Sequence, residues 1–308
     1  MIYHKFPFPG KLIKLLYKKK LSAHFKIFLL KFTLFGKSNL LRIRNIYKLD
    51  IKNNIKILDL GCGTGETSCL LAKSYPNADV YGYDLSLESL KYANKLKNLL
   101  NIKNVKFLNK NIFKKKNYFD FIHLSGVLHH IKNEHIFFRR VQNLLKKKSI
   151  YKEIYFGVYG RKFLDEKYLR QFIKRTLKIK NPYKCIDFLK EIQIDRSREL
   201  LKLKNENIYQ KFILSIIKFD FSYFGYVFFP HNKNSNNIDA YFHYYVKYYT
   251  PESLFELLKK INYKKCEFVL PSTKYDNIDF YKKFDNKKKF LFLDAIGQLP
   301  SYILRIKC

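Results

Sequence analysis

The stretch "ILDLGCGTGETSCLLAK", Ile57 to Lys73, decides how the rest of the chain is read. It belongs to a compact apolar run, "IKILDL" (55–60), suited to a strand buried on both faces of a parallel sheet. Three glycines follow at alternate positions, Gly61, Gly63 and Gly65. A helical pattern then runs from Gly65 to about Tyr75, where Pro76-Asn77 stops it. Glycine-rich turns between a strand and a helix often hold nucleotides, because the backbone can approach the ligand closely.

The spacing separates the candidate ligands. A dinucleotide turn reads G-x-G-x-x-G, and its last glycine lets the helix pack tightly over a pyrophosphate. Here the spacing is G-x-G-x-G, and Glu66 stands where that third glycine belongs. A carboxylate is a poor neighbour for a pyrophosphate. A phosphate-binding loop would need G-K-[ST], which is absent. Asp59 lies two residues before the first glycine, and an acid there suits a ligand carrying an amine or a cation.

Working outward, strands are expected at 78–84 ("ADVYGYD"), 105–108 ("VKFL"), 118–124 ("YFDFIHL") and 154–159 ("IYFGVY"). Ser86 is a good N-cap for a helix carrying Leu90, Ala93, Leu96 and Leu100 at helical spacing. Parallel strands need crossover helices, and those crossovers are right-handed, so the sheet is doubly wound. The alternation breaks off after 159 and resumes near 246. There Thr250 is an N-cap, Pro251 fits the first helical position, and strands are expected at 266–270 and 302–308. Between lie helical stretches and the aromatic tract "FDFSYFGYVFFPHN". The reading is an N-terminal helical segment (1–50), a sheet domain (51–159 with 246–308) and an inserted cap (160–245). The lysine-rich segment 282–289 reads as a solvated loop.

Asp59-x-Gly61-x-Gly63-x-Gly65 with Asp84 at the end of the second strand resembles the class I S-adenosylmethionine-dependent methyltransferases. "YFDFIHLSGVLHHI" (118–131) resembles that family's fourth strand and following loop, and "YTPESLFELLKKINYKKCEFV" (249–269) its late helix and sixth strand. The resemblance covers roughly half the chain. It implies an α/β fold: a mostly parallel, seven-stranded, Rossmann-like sheet with N-terminal helices and a helical, aromatic cap. It implies S-adenosyl-L-methionine as cofactor. Gly61, Cys62, Gly63 and Gly65 would lie along the methionine moiety. Asp59 would orient the turn and receive the amino group. Asp84, with Leu85 beside it, would hold the ribose hydroxyls. Asn111 would replace the Asp that commonly binds the adenine amine, and Ser125 with Gly126 would border the transferring methyl. One departure is "LLKKKSIYKEI", where the family often has a Pro-Gly-Gly turn before strand five.

Methyl transfer from a sulfonium is a direct displacement that needs alignment and exclusion of water, not a covalent residue. The Pro-Cys nucleophile of cytosine-C5 methylation is missing, since Cys185 follows Lys184. The Asn/Asp-Pro-Pro-aromatic run of DNA amino methylation is missing after strand four, and "NPY" at 181–183 has one proline and lies in the insertion. His129 is a candidate base, with loop packing as the alternative role for the His129-His130 pair. His243, in "DAYFHYYVKYY" (239–249), is the first choice of general base for an oxygen nucleophile. The insertion reads as the substrate cap, and the acceptor as a small molecule: a metabolite, a lipid or a quinone-like precursor. An RNA or tRNA acceptor is the alternative, and an inactive binding module of the same fold is a third reading.

The alternative rests on charge. The 308 residues carry 61 Lys and Arg against 25 Asp and Glu, a formal +36. Most of the cations are lysines, spread along the chain beside many Asn, Ile, Phe and Tyr, so AT-rich codon bias explains the excess as well as an anionic partner does. The five cysteines form no C-x-x-C pair and have no His partner at zinc spacing, so no metal site is expected and a reduced, cytoplasmic protein is. No run of about 18 uninterrupted apolar residues suggests a spanning helix. Residues 1–36 are basic and amphipathic, and read as one or two helices on the domain, with peripheral membrane contact as the alternative. The oligomeric state is not legible in the sequence.

Overall fold

The computed structural model describes residues 22–50, 52, 54–110, 112–160, 164–192, 243, 245–271, 273–296, 298–299 and 301–308. Asn111, the aromatic tract (219–232) and most of the 160–245 insertion lie outside the described residues. Seven strands form one sheet: β1 Lys56–Leu60, β2 Asp79–Tyr83, β3 Val105–Leu108, β4 Phe121–Ser125, β5 Glu153–Tyr159, β6 Lys265–Phe268 and β7 Ser301–Lys307. Their order is β3-β2-β1-β4-β5-β7-β6. The pairs β2–β3, β1–β4 and β4–β5 are parallel, whereas β7 runs antiparallel to β5 and β6. This is the expected doubly wound, mostly parallel α/β sheet. None of the described helices is long and apolar enough to cross a membrane.

The described residues gather into two compact units. The first draws on Met1–Ile55, Cys62–Ile112 and Tyr168–His243. It holds helices α1 (Ala23–Leu34), α2 (Lys37–Tyr47), α3 (Glu66–Ser74) and α4 (Leu87–Leu99) with β2 and β3. Ser86 caps α4 as expected, accepting from Ser89 N–H at 3.2 Å. Glu66 occupies the first turn of α3, where the positive end of the helix dipole favours a carboxylate. Helix α6 (Leu164–Gln171) continues into a π-helical turn, Phe172–Thr176, and α7 (Pro182–Glu191) follows. The "NPY" triplet starts α7: Asn181 accepts from Tyr183 N–H at 2.9 Å, and Pro182 takes the first helical position. Ile173, Cys185, Ile186 and Leu189 pack as a small core there.

The second unit draws on Lys56–Gly61, Phe113–Lys167 and Tyr244–Cys308. It holds β1, β4 to β7 and helices α5 (Glu134–Gln142), α8 (Pro251–Lys260) and α9 (Asn286–Ala295). Thr250 and Ser253 form a reciprocal capping box at α8, and Leu254, Leu257 and Leu258 are buried on its inner face. The segment 282–289 is not a loop throughout, since α9 starts inside it. Asp285 accepts from Lys288 N–H at 2.7 Å, and Phe290 and Leu293 are buried, while Lys287 and Lys288 stay in solvent. The turn before β5 is built on a side chain. Asp120 accepts from Lys146 Nζ at 2.6 Å, Ser149 Oγ at 2.8 Å and Lys56 N–H at 2.8 Å. It replaces the glycine turn with a charge-assisted knot. The Asp120 contacts also explain why β4 begins at Phe121, three residues later than the sequence suggests.

Candidate functional site

In the first unit, the glycine turn and the end of β2 are tied together. Cys62 N–H donates to Tyr83 O at 3.0 Å, and Gly65 N–H to Cys62 O at 3.0 Å. Gly63 N–H donates to Asp84 Oδ2 at 2.9 Å, and Ser86 N–H to Asp84 Oδ1 at 2.8 Å. Each carboxylate oxygen is therefore fixed by a backbone donor. Burial and then the Asp84 charge push the Tyr83 hydroxyl above its ordinary pKa. Leu85 is 57% exposed, an apolar side chain standing in solvent directly after Asp84. Asn109 Nδ2 donates to the carbonyls of Asp84 and Leu85, both at 3.0 Å. Sequence reading passed over Asn109 for Asn111; the only available signal was an amide directly after a short strand.

The turn leaves no room for side chains. Gly65 has φ +80°, and a Cβ there would meet Ala93 Cβ and Phe107 Cζ at 2.7 Å. Thr64 is buried, and its Oγ1 has no hydrogen-bond partner among the described residues. Buried hydroxyls are nearly always paired, so this one is suited to a polar group of a ligand. His243 is half-buried, and its carbonyl accepts from Lys174 Nζ at 2.8 Å.

In the second unit, Asp59 is 2% exposed and faces into the sheet. Its Oδ1 lies 2.8 Å from His123 Nδ1, at the register position where β1 and β4 pair. The His123 ring stacks on Tyr155 at 5.4 Å. His123 was not singled out by the sequence, although it lies inside the quoted fourth-strand motif. Gly61 has φ +82°, and a Cβ there would overlap Val127 Cγ2. Ser125 ends β4 exposed, and Gly126, with φ +76°, opens on free space. His129 is 1% exposed; its ring stacks on Tyr159 at 4.0 Å and meets His130 edge-on at 4.2 Å. Its carbonyl accepts from Lys247 N–H at 2.8 Å, and His130 Nδ1 lies 3.0 Å from Tyr245 O. Lys247 pairs with Glu134 and lies over the Tyr249 ring at 4.9 Å. Burial, then Glu134 and Tyr245, push the Tyr249 hydroxyl far above its ordinary pKa.

Residues 51–181 match the family described as "Methyltransferase domain". Among curated proteins, a tRNA (guanine-N(7)-)-methyltransferase of Rubrobacter xylanophilus is 49% identical over 51 residues, 17% of this chain and 23% of that protein. A probable (S)-tetrahydroprotoberberine N-methyltransferase of Papaver bracteatum is 28% identical over 105 residues, 33% of this chain and 29% of that protein. The chain therefore spans less than a third of either relative's length. Among solved structures, PKMT2 from Rickettsia typhi superposes over 89% of this chain and 53% of its own, with a TM-score of 0.53 at 15% identity. The same protein is also known in complex with AdoHcy. The matching segment of this chain is a class I S-adenosylmethionine-dependent methyltransferase domain, and S-adenosylmethionine is the cofactor of that class.

Proposed function

We propose that this chain is a methyltransferase that carries a methyl group from S-adenosylmethionine to a small-molecule acceptor. The observation that carries the cofactor half is the Asp84 carboxylate, fixed on both oxygens beside a turn that admits no side chains. A carboxylate has about four acceptor positions, so it can serve the backbone and a ribose diol together. Thr64 Oγ1 and the exposed Leu85 side chain offer a polar and an apolar contact to the same ligand. Asp59, Gly61, Cys62, Gly65, Asn111 and Ser125 complete the proposed cofactor set.

When bound, the cofactor supplies an electrophilic methyl on a sulfonium, and the acceptor's lone pair displaces the thioether. The protein's part is to align the two and exclude water. Gly126 has the backbone room to let an acceptor approach the end of β4. Segment 160–245 serves as the cap in this reading. His129 serves packing, given its burial under Tyr159, while His243 stays the proposed base for an oxygen acceptor. The five cysteines are free thiols, which supports a cytoplasmic site of action.

The small-molecule assignment is supported by relatives named for alkaloid and phosphoethanolamine N-methylation. The RNA reading keeps specific support from the +36 charge and the relative named for tRNA. Calorimetric titration with S-adenosylmethionine tests the first half; no binding at millimolar ligand overturns it. Radiolabelled cofactor then tests the second. Label in a small-molecule fraction supports the proposal, and label only in RNA overturns it.

A further inference from the structure

The first unit contains a cavity of about 1060 Å³ that the methyltransferase reading leaves without a role. It is lined by α1 and α2, by the C-terminal end of α3, and by the segment between α4 and β3. It sits near Pro76, before β2 begins, whereas Asp84 follows the strand's end. A five-residue strand spans about 17 Å, so the cavity and the ribose carboxylate lie at opposite ends of β2.

Two chemistries meet in the cavity. Lys31, Arg44, Lys73 and Lys103 all line it, and among the described lining residues there is no carboxylate. Arg44 is held in place by its Nε–H, which donates to Ser74 O at 3.2 Å. Between the cations lie hydrocarbon walls, including Phe28, Phe35, Leu40 and Ile102. Helix α1 is anchored by buried Leu30 and Leu34, yet it presents Phe25 at 48% and Phe28 at 54% exposure, their rings stacked 6.2 Å apart. Two adjacent exposed phenyl rings beside a cationic rim are unusual on a surface that meets only water. Lys and Phe on one short apolar helix are the pattern of a membrane-interface element.

We propose that this cavity seats the head and upper chain of an anionic phospholipid, so that the protein rests on an anionic bilayer through α1. The phosphate is met by the four cations, the hydrocarbon by the Phe and Leu walls. Nucleic acid would be met by the same cations, but the depth of the apolar cavity and the unpaired phenyl pair match an acyl chain better than a stack of bases.

Co-sedimentation of the full chain with vesicles tests this. Phosphatidylcholine vesicles are compared with vesicles carrying about one-third phosphatidylglycerol. Because the whole chain is basic, the variant Lys31→Glu/Lys73→Glu/Lys103→Glu is compared with Lys116→Glu/Lys147→Glu/Lys148→Glu, which changes net charge equally at exposed positions elsewhere. The cavity variant should lose roughly a hundredfold in partitioning, from about fivefold per cation held near an anionic surface. The control should lose less than about tenfold. Phe28→Ser should cost a further several-fold. Equal losses in the two triple variants, or an unchanged Phe28→Ser, overturn the proposal. So does binding of a single-stranded RNA that falls with the cavity variant while vesicle binding does not. Cofactor affinity, measured in parallel, should be the same in all variants, which separates this test from that of the methyltransferase reading.

Discussion

Gly63 N–H donates to Asp84 Oδ2 across 2.9 Å, so the last residue after β2 holds the turn after β1 in shape. The same carboxylate fixes Ser86 N–H, which starts α4. One side chain thus shapes two loops, and a change at Asp84 acts on both.

Asp84→Ala should weaken S-adenosylmethionine binding by about a hundredfold, since hydrogen bonds to a charged acceptor contribute about 1.5–3 kcal/mol each. Asp84→Asn keeps an oxygen for Gly63 N–H and should lose about tenfold. Calorimetry measures both, and unchanged affinity in Asp84→Ala would show that the ribose binds elsewhere.

Gly65→Ala and Gly126→Ala share a left-handed backbone and differ in surroundings. A methyl at Gly126 meets open space, so only the backbone penalty applies, about 1–2 kcal/mol. At Gly65 the methyl also strikes Ala93 and Phe107, which adds about 1–3 kcal/mol. Urea unfolding of the pair separates strain from collision; equal losses would contradict the crowding at Gly65.

Asp120→Ala removes the acceptor shared by Lys56 N–H, Lys146 Nζ and Ser149 Oγ. The expected loss is about 2–4 kcal/mol, most of it from the stranded buried donors. Lys146→Met should cost under about 1 kcal/mol, because that partner is a third exposed and screened. Thermal unfolding by circular dichroism reads both.

Burial raises the Cys185 thiol from 9.0 to about 11, against the opposing pull of Lys174. The folded chain keeps a proton that the unfolded chain loses in that window. Stability should therefore be fully present below pH 9 and fall as pH rises towards 11, by on the order of 2 kcal/mol from this thiol. Cys185→Ala should lose less stability across the window than the parent in urea titrations at pH 8, 9.5 and 11. A parallel decline in both would remove Cys185 as a source.

The strands were legible because their signals are local: an unbroken apolar run for β1, and N-caps at Ser86 and Thr250. The glycine turn and Asp84 were legible for the same reason. What escaped were partnerships across the sequence. His123 answers Asp59 from 64 residues away, and Asp120 reaches Lys146 and Ser149, with no periodicity to announce either. Asn109 was hidden by a neighbouring Asn two residues on. The lysines at 287–289 disguised the start of α9, because a solvated first turn looks like a loop until Phe290 and Leu293 are seen to be buried.

Strand β7 lies between β5 and β6, matched to β5 from Glu153–Lys307 to Tyr159–Ser301, and β6 joins the sheet only by way of it. During synthesis, then, β5 and β6 leave the ribosome before the strand that bridges them. The β5 backbone waits as an open edge while about 140 further residues are made, a window in which chaperones or another chain could claim it.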